Sequence, residues 1–326
     1  MDFLKRIIIY IFCFITVVTI NFWLPRMMPG DPAILLMAQD GVQVRPEQLQ
    51  ELHKKLRLDE PLYIQFAGYL LDLLKGDWGF SYQRSQYVSA LLKNALSCTL
   101  SLSVPSILIS ACLAMFLGCL AGYYQNSKYD NICTTALIVL YAMPAFLLGM
   151  VLLYVFSFKL RVFPLGGLHS TTAGSGKSEK ALDLIYHLFL PITTLSLSSI
   201  TSKYLIIRNS VIKERNSKYV VYAKARGLGN GSILFKHIFK NSCQPFISMI
   251  GINIGFIFAG SLTIETVFSL NGMGSLIYDA TVTRDFVVIQ GVFLLLSIMV
   301  ILANLAADII SALIDPRIRK GAYDEV

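Results

Sequence analysis

The stretch ALSCTLSLSVPSILISACLAMFLGCLAGYY, Ala95 to Tyr124, is a long, mostly apolar run. A helix rises about 1.5 Å per residue and the hydrocarbon core of a bilayer is about 30 Å thick, so roughly 20 such residues cross it. On either side of this run, five further stretches meet the same criterion: Ile7 to Leu24, Ile132 to Phe158, Leu184 to Ile207, Phe246 to Ile264 and Phe286 to Ile314. The chain therefore reads as an all-α polytopic membrane protein with six transmembrane helices. The composition agrees. Across 326 residues, 55% are hydrophobic and only 15% charged, with mean hydropathy +0.61, which does not suit the surface of soluble domains.

The fourth span carries many Ser and Thr, and the fifth carries Asn253 and several glycines, as expected of helices that line a pore or pack closely on neighbours. Pro105, Pro144 and Pro191 fall inside spans two, three and four, where each removes a backbone donor and kinks the helix. The first span follows Lys5 and Arg6, but it is longer than a signal-peptide core and no small-x-small site follows Trp23, so it reads as a retained anchor.

Orientation follows from short basic loops, which stay cytoplasmic. With Lys5 and Arg6 inside, the loop between spans four and five is inside too. From Lys203 to Lys240 it holds Arg208, Lys213, Arg215, Lys218, Lys224, Arg226 and Lys236 against the single acid Glu214. Arg317, Arg319 and Lys320 also land inside, so both termini are read as cytoplasmic. The exported segment after span one is neutral, with eight basic and eight acidic residues. The organisation is thus an anchor at 1–24, an extracytoplasmic helical segment at 25–94, a five-helix core at 95–314 and a cytoplasmic tail at 315–326. The net charge of +8 lies between apolar runs rather than on a soluble basic face, so nucleic acid is not the expected partner, whereas membrane lipid is.

Within the exported segment, Pro46 opens a helix with Leu49, Leu52 and Leu56 at helical spacing. Asp59 is placed to cap a second, with Leu62, Phe66, Tyr69, Leu70 and Leu73 on one face. Thr171 to Ser178 imitates a phosphate-binding loop but lacks the first glycine and the strand before it, and reads as a flexible linker. Six cysteines and four histidines form no metal spacing, and no nucleophile with a paired base is visible.

The segment 208–243 is the most informative. A short helix ending near Arg226 is stopped by Gly227, Ser232 caps the next helix, and Ile233, Leu234, Ile238 and Phe239 form one apolar face before Pro245. Ala223, Ala225 and Gly227 offer a small-residue surface that allows a partner to approach closely. A basic loop resting on anionic headgroups is the simpler alternative.

At Ala223-Lys-Ala-Arg-Gly-Leu228, followed by His237 to Asn241 and Pro245, the sequence resembles the inner-membrane permeases of binding-protein-dependent ABC importers, in particular the first permease of the dipeptide, oligopeptide and nickel group. The likeness continues at Pro29 to Pro32, Leu58 to Leu62, Gly76 to Ser81, Glu265 to Phe268, Gly272 to Gly274, Arg284 to Phe286, Gln290-Gly291 and Asp315 to Arg319. The acid of the wider family's Glu-Ala-Ala loop is absent, Val221 standing near its place. The resemblance implies an ABC type I importer fold and a heterodimer with a second, homologous permease. It also implies two ATPase subunits that bind Mg-ATP, an extracytoplasmic solute-binding protein, and no cofactor or catalytic residue in this chain. Tyr219, Ala223, Ala225, Arg226, Gly227 and Leu228 would contact an ATPase, and Asn253 and Glu265 are candidates for the translocation path. Peptide and nickel or metal-chelate cargo both fit. A secondary transporter, the rival from another class, would show intramembrane charges for ion coupling and an inverted repeat, and neither is clear.

Overall fold

The computed structural model describes residues 3–27, 33, 46–170, 176–239, 241–243, 245, 246, 249 and 262–314. In chain order the elements are α1 (Phe3–Met27), α2 (Pro46–Leu56), α3 (Leu62–Leu74), the strands β1 (Phe80–Ser81) and β2 (Gln86–Tyr87), and α4 (Val88–Tyr123). There follow α5 (Lys128–Ala142), α6 (Ala145–Leu152), α7 (Lys177–Arg215), α8 (Lys218–Ala225), α9 (Asn230–Ser232), α10 (Leu262–Val267), α11 (Met273–Val282) and α12 (Phe286–Ile314). Both α6 and α9 run on into π-helical turns, Leu153–Lys159 and Ile233–Ile238. Among the described residues the fold is all-α apart from the antiparallel pair Phe80 with Tyr87 and Ser81 with Gln86.

Among the described residues, Val88–Tyr123, Ser178–Arg215 and Phe286–Leu305 are long and apolar enough to cross a membrane. The expected first span lies within α1. Most of the expected fifth, with Asn253, lies outside the described residues, as do the tail at 315–326 and most of the phosphate-loop-like run from Thr171. The expected third span is not one helix. α5 and the helix from Ala145 to Lys159 meet at 97°. The cause is local: Pro144 disfavours the helical conformation of the residue before it, and Met143 is extended at φ −83 and ψ 127. Pro144 then caps α6, so the proline ends one helix and starts another rather than kinking either.

Pro105 and Pro191 behave differently, each remaining inside a continuous helix. Hydroxyl groups bond the carbonyls around them. Ser106 Oγ donates to Leu102 O at 2.6 Å, Thr194 Oγ1 to Leu190 O at 2.8 Å, and Ser196 Oγ crosses from α7 to Ser106 O at 3.2 Å. In hydrocarbon a hydroxyl has no water to turn to, and bonding a carbonyl of its own or a neighbouring helix satisfies it.

The chain divides into two compact units, one of residues up to Cys98 with Asn271–Leu302, the other of Thr99–Leu270 with the described residues from Ala303 on. In the first, α1 is tied to α12 by a reciprocal pair, Gln290 Nε2 to Asn21 O at 2.6 Å and Asn21 Nδ2 to Gln290 O at 3.3 Å. Ser81 Oγ donates to the buried Asp285 carboxylate, whose other oxygen accepts from Val288 N and so caps α12. Val88, Leu92, Met273, Ala280, Val288 and Val292 form the core beneath.

The second unit is organised around α7. Gly118 and Gly122 of α4 sit directly on it: a Cβ at Gly122 would stand 2.6 Å from Arg208 O and 2.8 Å from Val211 Cβ. This is the small-xxx-small packing that lets two membrane helices touch by their backbones. Gly122→Leu is expected to force α4 and α7 apart. The outcome to look for is loss of the folded chain from membranes and a lowered thermal transition of whatever can be purified, since overpacking of this kind costs about 1–3 kcal/mol or more.

Candidate functional site: a helical lever on the α7 core

α7 continues well past its apolar portion to Arg215, and the helix breaks at Asn216-Ser217 before α8. The break is pinned. Ser217 Oγ and Ser217 N both donate to Glu214 O, at 2.6 and 3.0 Å, and Tyr219 Oη donates to Glu214 Oε2 at 2.6 Å. Asn241 Nδ2 in turn donates to Tyr219 Oη at 3.1 Å. Burial, reinforced by the Glu214 carboxylate, raises the Tyr219 pKa, so the phenol keeps the proton that it donates. Glu214, in sequence only the lone acid of a basic segment, thus anchors the break.

α8 ends in a Schellman motif. Gly227 N donates to Lys224 O at 2.9 Å and Leu228 N to Ala223 O at 3.3 Å, with Gly227 in the left-handed region at φ 76. The glycine stop expected from the sequence is therefore the one observed. The next helix starts earlier than expected, at Asn230 with Gly229 as its cap rather than at Ser232. Asn230 Oδ1 accepts from Tyr123 Oη at 2.8 Å, fixing the turn to the end of α4.

Burial sorts the expected contact residues into two groups. Val220 and Ala223 are buried, and they share one core with Ile200, Tyr204, Ile207 and Val211 of α7 and with Ile233, Leu234 and Ile238. Ala223 therefore does not belong to the exposed small-residue surface expected from the sequence: it faces inward and holds the helix down. Tyr219 is half-buried, and Ala225, Arg226, Gly227 and Leu228 are exposed. Beside them stand Val221 and Tyr222, 61% and 71% exposed, two large apolar side chains absent from the expected contact set. The sequence does carry a signal for them, since both lie away from the Val220 and Ala223 face on a helix of about 3.6 residues per turn.

A second feature secures the base of this lever. Arg208 grips Asp130 of α5 with two parallel bonds, Nε to Oδ1 at 2.6 Å and Nη2 to Oδ2 at 2.7 Å. Asp130 is fully buried and also accepts from Asn126 N at 2.9 Å and from Thr134 Oγ1 at 3.2 Å, while Tyr204 Oη lies 2.8 Å from the same threonine hydroxyl. Lys203, counted with the cytoplasmic basic residues in the sequence, is instead buried within α7, with Nζ turned back to Ser199 O and Oγ at 3.3 and 3.0 Å. Glu265 is buried on α10 and accepts from Thr99 Oγ1 at 3.0 Å, an interhelical hydrogen bond.

α8 thus packs one face on the membrane helix α7 and leaves Val221 and Tyr222 exposed on the other. The match to known families says which machinery it serves. Residues 114–320 match the binding-protein-dependent transport system inner membrane component, and residues 1–103 match the N-terminal region of such membrane components. The chain belongs to this permease family. It is a polytopic permease of the ABC type I importer fold, an inner-membrane transport subunit rather than an enzyme, and its family works with ATPases and solute-binding proteins. The permease is 34% identical to the probable peptide ABC transporter permease y4tP of Sinorhizobium fredii, covering 91% of this chain and 92% of that one. It is 32% identical to the oligopeptide transport system permease OppB of Haemophilus influenzae, over 93% and 94% of the two chains. To the dipeptide transport system permease DppB of Escherichia coli it is 28% identical, over 97% and 98%.

Proposed function

We propose that this permease pairs with a second, homologous permease to form the pore of an ATP-driven peptide importer. The observation that carries the cargo reading is similarity along nearly the whole chain to relatives named for peptide, oligopeptide and dipeptide transport. In this reading the end of the second unit bearing Arg208, Arg215 and Lys224 faces the cytoplasm, and so do both termini. An ATPase receives Val221, Tyr222, Ala225 and Leu228 in a groove, while a solute-binding protein delivers cargo on the other side. The ATPases hold the Mg-ATP, and this chain contributes no cofactor.

ATP binding moves the permease only in so far as the ATP-bound and ATP-free partners contact α8 with different energies. The shared core of α7, α8 and the turn after α9 makes the helix stiff enough to carry that difference into α7. The test is reconstitution in proteoliposomes of the permease with its co-purifying subunits. ATP-dependent uptake of labelled di- or oligopeptide is the expected result. Uptake of Ni²⁺ complexes with none of peptide overturns the cargo reading, and uptake by the isolated chain without ATPase overturns the importer reading itself.

A further inference from the structure

Where α1 leaves its apolar stretch, the first unit holds a cavity of about 130 Å³ between α1, α3 and α12. Apolar Phe22, Tyr69 and Trp78 line it together with the charged Arg26, Arg57, Asp72 and Asp77. We propose that this cavity binds the headgroup of a zwitterionic phospholipid, phosphatidylethanolamine, with its chains running down the exposed face of α1.

Three observations carry the assignment. First, Arg26 is held in place but not neutralised. Its guanidinium lies 3.8 Å over the Phe22 ring, donates from Nε and Nη2 to Gln65 Oε1 at 3.0 and 2.9 Å, and from Nη1 to Phe22 O at 2.9 Å. Among the described residues every hydrogen-bond acceptor it engages is neutral, so a guanidinium just past the apolar run of α1 is left for a ligand to meet. Second, the same lining holds aspartates as well as arginines, so a molecule carrying both a phosphate and an ammonium suits it better than a simple anion does. Third, α3 turns the polar Gln65 and the small Gly68 inward, whereas Tyr63, Leu71 and Leu74 are 73%, 52% and 85% exposed. That is the reverse of a helix facing water. With Trp23 and Ile20 exposed on α1 beside it, the surroundings of the cavity are fit for hydrocarbon.

The test uses the purified importer complex, delipidated in detergent and offered phosphatidylethanolamine, phosphatidylglycerol or phosphatidylcholine, with retention read by native mass spectrometry. Wild type is expected to keep one phosphatidylethanolamine at least about tenfold better than the other two, a discrimination of roughly 1.4 kcal/mol. Arg26→Gln removes the cation and Gly68→Val fills the cavity, where a Cβ would press on the far end of the Arg57 side chain at 2.8 Å. Both are expected to lose the retained lipid. A photoreactive phosphatidylethanolamine on the wild-type complex supplies a readout that does not depend on the variants folding, with labelling of Tyr69 or Trp78 expected. Equal retention of phosphatidylglycerol, labelling elsewhere, unchanged retention by well-folded variants, or displacement of the lipid by a dipeptide each overturns the proposal.

Discussion

Gly227→Asp is expected to abolish uptake while leaving the permease inserted and substrate capture by the solute-binding protein intact. The two effects separate because Gly227 has a conformational role but no packing role. It occupies the left-handed position of the Schellman motif at φ 76, and nothing lies within 4 Å of where a Cβ would be. A non-glycine residue there costs about 1–2 kcal/mol, and Asp is among the side chains that tolerate the region best. The helix therefore still ends where it should. What changes is the surface: a carboxylate stands beside Ala225 and Leu228, where the proposed ATPase contact requires a close, apolar approach. Gly227→Ala bears a similar backbone cost without the charge, so it is expected to retain most uptake. The measurement is uptake in cells with the amount of permease in membranes determined in parallel. Normal uptake by Gly227→Asp, or equal loss in the Ala variant, removes the coupling role assigned to this turn.

Much of this architecture is legible in the sequence because membrane burial and helix punctuation are local. Apolar length announces the helices at Ala95 to Tyr124 and Phe286 to Ile314, and Gly227 announces the end of α8. Pro144 is visible too, but the expected kink is a break. Pro105 and Pro191 stay inside continuous helices, whereas at Pro144 the preceding Met143 turns extended, and apolar pattern alone does not separate the two outcomes. Asp59 fails as a cap for a related reason: the chain enters α3 through Pro61, with no side-chain cap.

The candidate site is legible in outline but not in orientation. Small residues at 223, 225 and 227 suggest one surface, but α8 has two faces, and Ala223 lies on the face that joins Val220 against α7. Identifying the outward face requires knowing what the helix packs on, which is contributed by residues from Ala111 to Phe246. Pairs far apart in sequence are invisible for the same reason. Ser81 and Asp285 each sit in a stretch that carries the family resemblance, yet only the fold shows that one hydroxyl binds the other's carboxylate.

The Asp130–Arg208 pair is such a long-range contact, and its disruption is the other large effect expected. Ser127 and Asp130 form a local helix start, since Ser127 Oγ accepts from Asp130 N at 3.2 Å, but nothing in the sequence names Arg208 as the partner. Asp130→Ala leaves the guanidinium 18% exposed and without its counter-charge, and Arg208→Leu leaves a fully buried carboxylate in the same state. Removing one partner of a buried pair costs about 3 kcal/mol or more, whereas replacing both by apolar groups is far less costly. The thermal transition of the purified permease should therefore fall in either single variant and recover substantially in Asp130→Leu/Arg208→Leu. If the pair served stability alone, uptake would recover with it. Because Arg208 stands about two turns before the break into α8, the pair also fixes the end of α7 against α5 at the base of the lever. The double variant is accordingly expected to stay poor in uptake while well folded, and full recovery of uptake would show that the ion pair has no part in transmitting the motion.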